Sequence, residues 1–144
     1  MNIFPRRGEI WWISLDPTIG REIKKKRPCL VLSKDEYNRA AGTITIIPIT
    51  SGKARYPAWE VDLPESVGLS TDSHVVVPQI RVAAQQRLDK KPIGKITIAH
   101  MHEIEEKLLF YLGIDGSSYG FGSMAIVGTT GGTGAVWSST SRFL

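Results

Sequence analysis

Arg27 and Thr50 are the residues of this chain whose types and placement best suit chemistry. Arg27 opens the run Arg27-Pro28-Cys29-Leu30-Val31-Leu32-Ser33, and Thr50 lies in the later run Pro48-Ile49-Thr50-Ser51. Each is a short apolar stretch with polar groups at one end. Buried strands that deliver both residues to one rim would set a fixed cation beside a hydroxyl. That pair suits a phosphate, because a guanidinium can give two parallel hydrogen bonds to its oxygens.

Other chemistries find less support. The histidines are His74, His100 and His102, and the last two are two positions apart on an expected helix, so they face different directions. No acids and histidines recur at metal-ligand spacing, and no metal or cofactor is expected. Cys29 is the only cysteine. It allows no internal disulfide and reads as a small buried hydrophobe within a strand. Gly131-Gly132-Thr133-Gly134 resembles a phosphate loop but lacks a following lysine and a strand–helix setting.

The charge agrees with an anionic partner. Net charge is +4 and the pI is near 9.3. Arg21, Lys24, Lys25, Lys26 and Arg27 crowd one segment against the single acid Glu22. Clustered cations raise the local concentration of polyanions, nucleic acid above all.

The elements that must position these residues are mostly strands. Glu9 to Leu15 reads as a strand ended by Asp16-Pro17. The basic segment Thr18 to Lys26 follows as a loop, long for a hairpin, and the next strand starts at Pro28. Asp35 to Ala41 reads as a helical turn stopped by Gly42. Thr43 to Ile49 is a strong strand in which Pro48 marks an edge, a bulge or an end. Trp59 to Leu63 alternates apolar and charged residues. Ser73 to Val77 and Gln79 to Ala83 are two short strands or one bent strand, broken at Pro78, and Gly94 to Ile98 is a further short one. The period then changes. Met101, Ile104, Leu108, Leu109 and Leu112 fall at helical spacing, with Thr97 as cap and Gly113 as stop. Trp11 and Trp12 should face opposite sides of their strand, and Tyr56 and Trp59 flank a basic loop where bases could stack. The sum is a mainly β domain with a C-terminal helix, a small SH3-like barrel or strongly curved antiparallel sheet.

The chain is 144 residues, the size of one domain. No apolar run approaches the roughly 20 residues that span a bilayer. The N-terminus lacks a signal peptide's apolar core, so a cytoplasmic protein is expected. Residues 1–114 are expected to form the domain. From Asp115 to Leu144 the composition turns rich in Gly, Ser and Thr, which suggests a disordered, foreign-looking tail.

Several blocks together resemble the MazF/PemK toxin family. They are Arg7-Gly8-Glu9-Ile10-Trp11, Leu15-Asp16-Pro17-Thr18-Ile19-Gly20, Arg27 to Ser33, and Pro48-Ile49-Thr50-Ser51. Gly68 to Ser73, Gln79-Ile80-Arg81 and Leu112-Gly113-Ile114 follow in order, so the resemblance covers about residues 6 to 114. It implies the barrel of plasmid-maintenance toxins, usually a homodimer blocked by a small antitoxin of the MazE type. The implied activity is metal-independent, sequence-selective cleavage of single-stranded RNA. The RNA's 2′-hydroxyl attacks the adjacent phosphate and leaves a 2′,3′-cyclic phosphate and a 5′-hydroxyl. Arg27 and Thr50 match the family's catalytic pair. With the basic segment, the expected RNA contacts are Arg21, Glu22, Lys24, Lys25, Lys26, Ser51, Lys53, Gln79 and Arg81.

The chain also departs from that pattern. Pro78 stands where several members have an acid before the Gln-x-Arg segment, which leaves the proton acceptor unassigned. Arg21 replaces a histidine or serine. Two other readings stay open at this point: a same-fold toxin that binds a protein such as DNA gyrase without cutting RNA, and an inactive relative.

Overall fold

A computed structural model describes residues 3–17, 19–23 and 25–115. Seven strands form one curled antiparallel sheet: β1 (Glu9–Ser14), β2 (Lys26–Val31), β3 (Thr43–Ser51), β4 (Glu60–Leu63), β5 (Ser73–Val76), β6 (Arg81–Ala84) and β7 (Gly94–Lys95). The order is β4-β5-β3-β2-β1-β7, with β6 paired to β3. The α-helices among the described residues are α1 (Asp35–Ala41) and α2 (Ile98–Leu112). Met1–Leu108 makes one compact unit, and Leu109 opens a second, of which residues 109–115 are described. The expected tail therefore lies outside the described residues from 116 onward.

Local chemistry explains the boundaries. Gly42 ends α1 at φ 75°, a left-handed conformation that glycine adopts without a Cβ penalty. Thr97 Oγ1 accepts the His100 N–H at 3.1 Å and caps α2, while Gly113 closes it at φ 74°. Trp11 is 3% exposed and Trp12 38%, as alternation requires.

Alternation also sorts the core into two clusters, one on each face of the sheet. Ile10, Leu30, Ile47, Ile49, Val61 and Val75 pack on one face with Met101 and Ile104 of α2. Trp11, Ile13, Cys29, Val31, Ile44 and Ile46 pack on the other. Each fully buried side chain of this size contributes roughly 1.5–3 kcal/mol over its exposed state.

Pro28 fixes where the sheet opens, and Pro48 is accommodated beside it. Leu32 N–H donates to Thr45 O at 2.9 Å, so even-numbered residues of β2 turn their backbone groups toward β3. Leu30, opposite Ile47, continues that pattern, and Pro28 is the even position after it, with no donor to give. The β2–β3 ladder accordingly stops at Cys29↔Pro48. Pro28 lies inside β2, which begins at Lys26 and not at Pro28 as the sequence suggested; the pairs Trp12↔Pro28 and Ser14↔Lys26 with β1 carry the strand that far. Pro48 turns its donor-less nitrogen away from β2. On that side β6 pairs only as far as Ile46 and β5 begins at Ile49, so no ladder hydrogen bond is lost.

Candidate active site

Extending the register past Cys29↔Pro48 sets Arg27 opposite Thr50. Arg27 Nη1 donates to Thr50 Oγ1 at 3.3 Å, across the gap left by the arrested ladder. A guanidinium only donates, so Thr50 is the acceptor and its own hydroxyl hydrogen is left to reach another oxygen. This contact stands at a cleft of about 480 Å³ where β2 and β3 diverge. Arg27, Thr50, Ser51, Lys25 and Lys26 line the cleft. Trp12, Ser70 and Thr71 line it too, and residue type alone did not single them out as site members.

The loop that carries Gly68 to Thr71 is held at the cleft by close backbone approach. A Cβ on Gly94 would stand 1.6 Å from Val67 O, and one on Gly68 2.2 Å from Ile93 O. Only glycine fits either position, and Gly68 also sits at φ 99°. Leu69 and Ile93 pack against the cluster that α2 covers.

The β1–β2 loop is anchored at its neck. Leu15 N–H donates to Lys25 O at 3.0 Å, and Lys25 N–H to Asp16 Oδ1 at 3.0 Å. Arg87 Nη1 donates to Ser14 O at 3.0 Å and also to Asp16 O. Gln79 Oε1 accepts the Ile23 N–H at 3.2 Å, which ties this loop to the segment between β5 and β6. Gln79 thus holds the loop in place through its backbone. Glu22 Oε1 accepts the Ile19 N–H at 2.6 Å and shapes the loop from within.

The other expected contacts distribute unevenly. Lys26 Nζ pairs with Asp89 Oδ1 at 2.7 Å. Arg21 is exposed on the loop, and Lys24 lies outside the described residues. Lys53 lines a neighbouring cavity with Ser51, Arg55 and His74. Arg81 stands opposite Ile46 and so on the face of Cys29. Its Nη1 is buried, and among the described residues it has no hydrogen-bond partner. Burial pushes the Cys29 thiol up to about 12, against the opposing pull of the Arg81 and Arg27 cations. A thiol so held is neutral and packs as a hydrophobe, as its place in the sequence suggested.

The arrangement can grip a phosphate and feed it donors. The chain's residues 6–112 match the model of the family described as PemK-like, MazF-like toxin of type II toxin-antitoxin system. Endoribonuclease MazF9 of Mycobacterium tuberculosis is 38% identical over 113 residues, covering 74% of this chain and 95% of that protein. The crystal structure of MazF from Deinococcus radiodurans superposes with a TM-score of 0.70 at 29% identity, covering 78% of this chain and all of that one. A MazE-MazF structure from the same organism matches with a TM-score of 0.64 at 26% identity, covering 78% of this chain and 99% of the matched one.

Proposed function

The chain belongs to the PemK-like, MazF-like toxin family of type II toxin–antitoxin systems, and from that premise we propose that it is an endoribonuclease that cuts single-stranded RNA at the Arg27–Thr50 centre. The observation that carries this reading is the Arg27–Thr50 hydrogen bond at the mouth of a basic cleft. The relatives' activity, endoribonuclease, supports the same reaction class.

In the proposed step the RNA's 2′-oxygen bonds to the adjacent phosphorus and the bond to the 5′-oxygen breaks. Products are a 2′,3′-cyclic phosphate and a 5′-hydroxyl. The 2′-hydroxyl loses a proton and the departing 5′-oxygen gains one. Negative charge builds on the non-bridging oxygens between these events. Arg27 answers it with charge and directed N–H groups, and Thr50 with its hydroxyl hydrogen. Arg27, whose guanidinium carries N–H donors and no acceptor, serves as a donor and not as a base. Lys25, Lys26 and Ser51 line the path for the flanking backbone, and Trp12 offers an exposed ring face for a base.

The proposal includes a homodimer, a small antitoxin of the MazE type as partner and residence in the cytoplasm. A toxin–antitoxin complex among similar structures supports the partner. No helix among the described residues is long and apolar enough to cross a membrane.

The test is incubation of the purified protein with mixed-sequence single-stranded RNA in EDTA, followed by end analysis. Cyclic-phosphate ends that disappear with Arg27→Ala are expected. Intact RNA at every protein concentration would sink the reading.

A further inference from the structure

We propose that the segment Gly52–Trp59 is a preset arm that binds RNA phosphates flanking the cut, and that His74, Glu60 and Asp62 are the residues that position it. This rests on the nuclease reading above. Its starting point is a row of side chains across the sheet. His74 is the register partner of Thr50 on one side and of Asp62 on the other. Directly opposed residues share a face, so Arg27, Thr50, His74 and Asp62 line up on one side of the sheet. Glu60 lies on that same face, two positions before Asp62 in β4.

His74 is 7% exposed, and a buried imidazole needs partners for its nitrogens. Its Nδ1 lies 2.7 Å from Gly52 O. A carbonyl only accepts, so Nδ1 carries the hydrogen and tethers the first residue of the arm. Its Nε2 faces Glu60 Oε1 at 3.7 Å. Glu60 Oε1 in turn accepts the N–H groups of Arg55 at 2.8 Å and Tyr56 at 3.2 Å. Asp62 Oδ1 accepts the Ala54 N–H at 2.8 Å. Gly52, Ala54, Arg55 and Tyr56 are therefore all held by their backbones.

What the tethers leave outward is chemically consistent. Lys53, Arg55 and Tyr56 are exposed, and Tyr56 is 58% accessible. The cavity of about 510 Å³ lined by Lys53, Arg55 and His74 shares Ser51 with the cleft at Thr50. Two cations thus stand along the path a strand would take on leaving the scissile phosphate. Fixing the backbone in advance removes part of the ordering cost that binding would otherwise carry. Glu60 and Asp62 turn their oxygens to the arm's N–H groups, so they brace the cations' backbone instead of pairing with the cations.

The test separates phosphate contact from mere structure. The probe is a fluorescent, mixed-sequence single-stranded RNA with every 2′-hydroxyl methylated, which cannot be cut. Affinity is measured against salt concentration, where each phosphate contact contributes about 0.7 to the log–log slope. Lys53→Ala with Arg55→Ala should lower the slope by about 1.4. His74→Leu keeps both cations yet should also lower it, and His74→Asn, whose amide N–H can replace Nδ1–H to Gly52, should restore it. Should His74→Leu not fold, Asp62→Ala cuts the Ala54 tether from an exposed position and carries the same expectation. An unchanged slope in the double variant overturns the arm. Weaker binding with an unchanged slope in His74→Leu or Asp62→Ala overturns their positioning role. Cleavage of unmodified RNA is scored in parallel, so failure of the nuclease reading shows there and not in the slopes.

Discussion

Arg27 and Thr50 meet through their side chains at the place where their strands cease to meet through their backbones. The ladder between β2 and β3 ends at Cys29↔Pro48, and the next side-chain contact on that face is Arg27 Nη1 to Thr50 Oγ1 at 3.3 Å. The site is thus a consequence of strand divergence. Residues that belong to adjacent strands keep their register while the space between them opens toward the cleft.

Removing the guanidinium should cost rate and spare the fold. Arg27→Ala is expected to lower turnover on the order of 10²–10³-fold, the loss seen when a transition-state donor is deleted. Arg27→Lys should recover only part, since an ammonium cannot reproduce the planar fork. Thr50→Val, which keeps the shape and loses the hydroxyl, should show a loss of the same kind. Single-turnover cleavage rates beside thermal melts check this. A melt that collapses in step with the rate would assign these residues to stability.

Pro28 offers a sharper test, because it acts on the backbone and not on the chemistry. In Pro28→Val a new N–H faces Ile49 O, and the ladder can close by one more bond. Stability should hold or rise by about 1 kcal/mol. Turnover should fall on the order of 10²-fold, as misplacement of reacting groups by about 1 Å can cost that much. Amide exchange at position 28 reports the bond, and cleavage assays report the cost. Protection at residue 28 with unchanged turnover would show that the divergence is not needed.

The sequence disclosed more of the elements than of their neighbours. Strand alternation placed Trp11 and Trp12 on opposite faces, and Thr97 and Gly113 marked the ends of α2, because those signals are local. Pairing is not local. Nothing in Arg81-Val82-Ala83-Ala84 says that it adds to the first half of β3 while Ser73–Val76 adds to the second. For the same reason the tie from Gln79 to the Ile23 N–H, between segments far apart in the chain, cannot be read from the sequence. In the sequence no metal-ligand spacing surrounds His74. Its partners, Gly52 and Glu60, come from the far ends of a loop that only the register brings together. The Arg27–Thr50 pairing was legible because each sits at the polar end of an apolar run.

Gly94 tests the packing that brings the Gly68–Thr71 loop to the cleft. A Cβ there would overlap Val67 O at 1.6 Å, so the backbone of one segment must move. Gly94→Ala should destabilise by roughly 1–3 kcal/mol, the usual cost of overpacking. Denaturant titration measures it. Unaltered stability would mean that β7 and this loop are not firmly docked.

Cys29 gives a prediction with a definite pH sign. Its thiol is pushed up to about 12 by burial, from an ordinary value of 9.0. Between those values the folded chain keeps a proton that the unfolded chain has released, so rising pH favours unfolding. The contribution is complete below pH 9.0, and it is lost as pH climbs toward about 12. Cys29→Val removes the titration while keeping a small apolar side chain. Urea denaturation across that window should show wild-type stability falling more steeply than that of the variant. A parallel decline in both would show that the thiol does not titrate differently on folding. At neutral pH the same burial predicts that a thiol reagent labels Cys29 only after denaturant is added, which a colorimetric thiol assay follows directly.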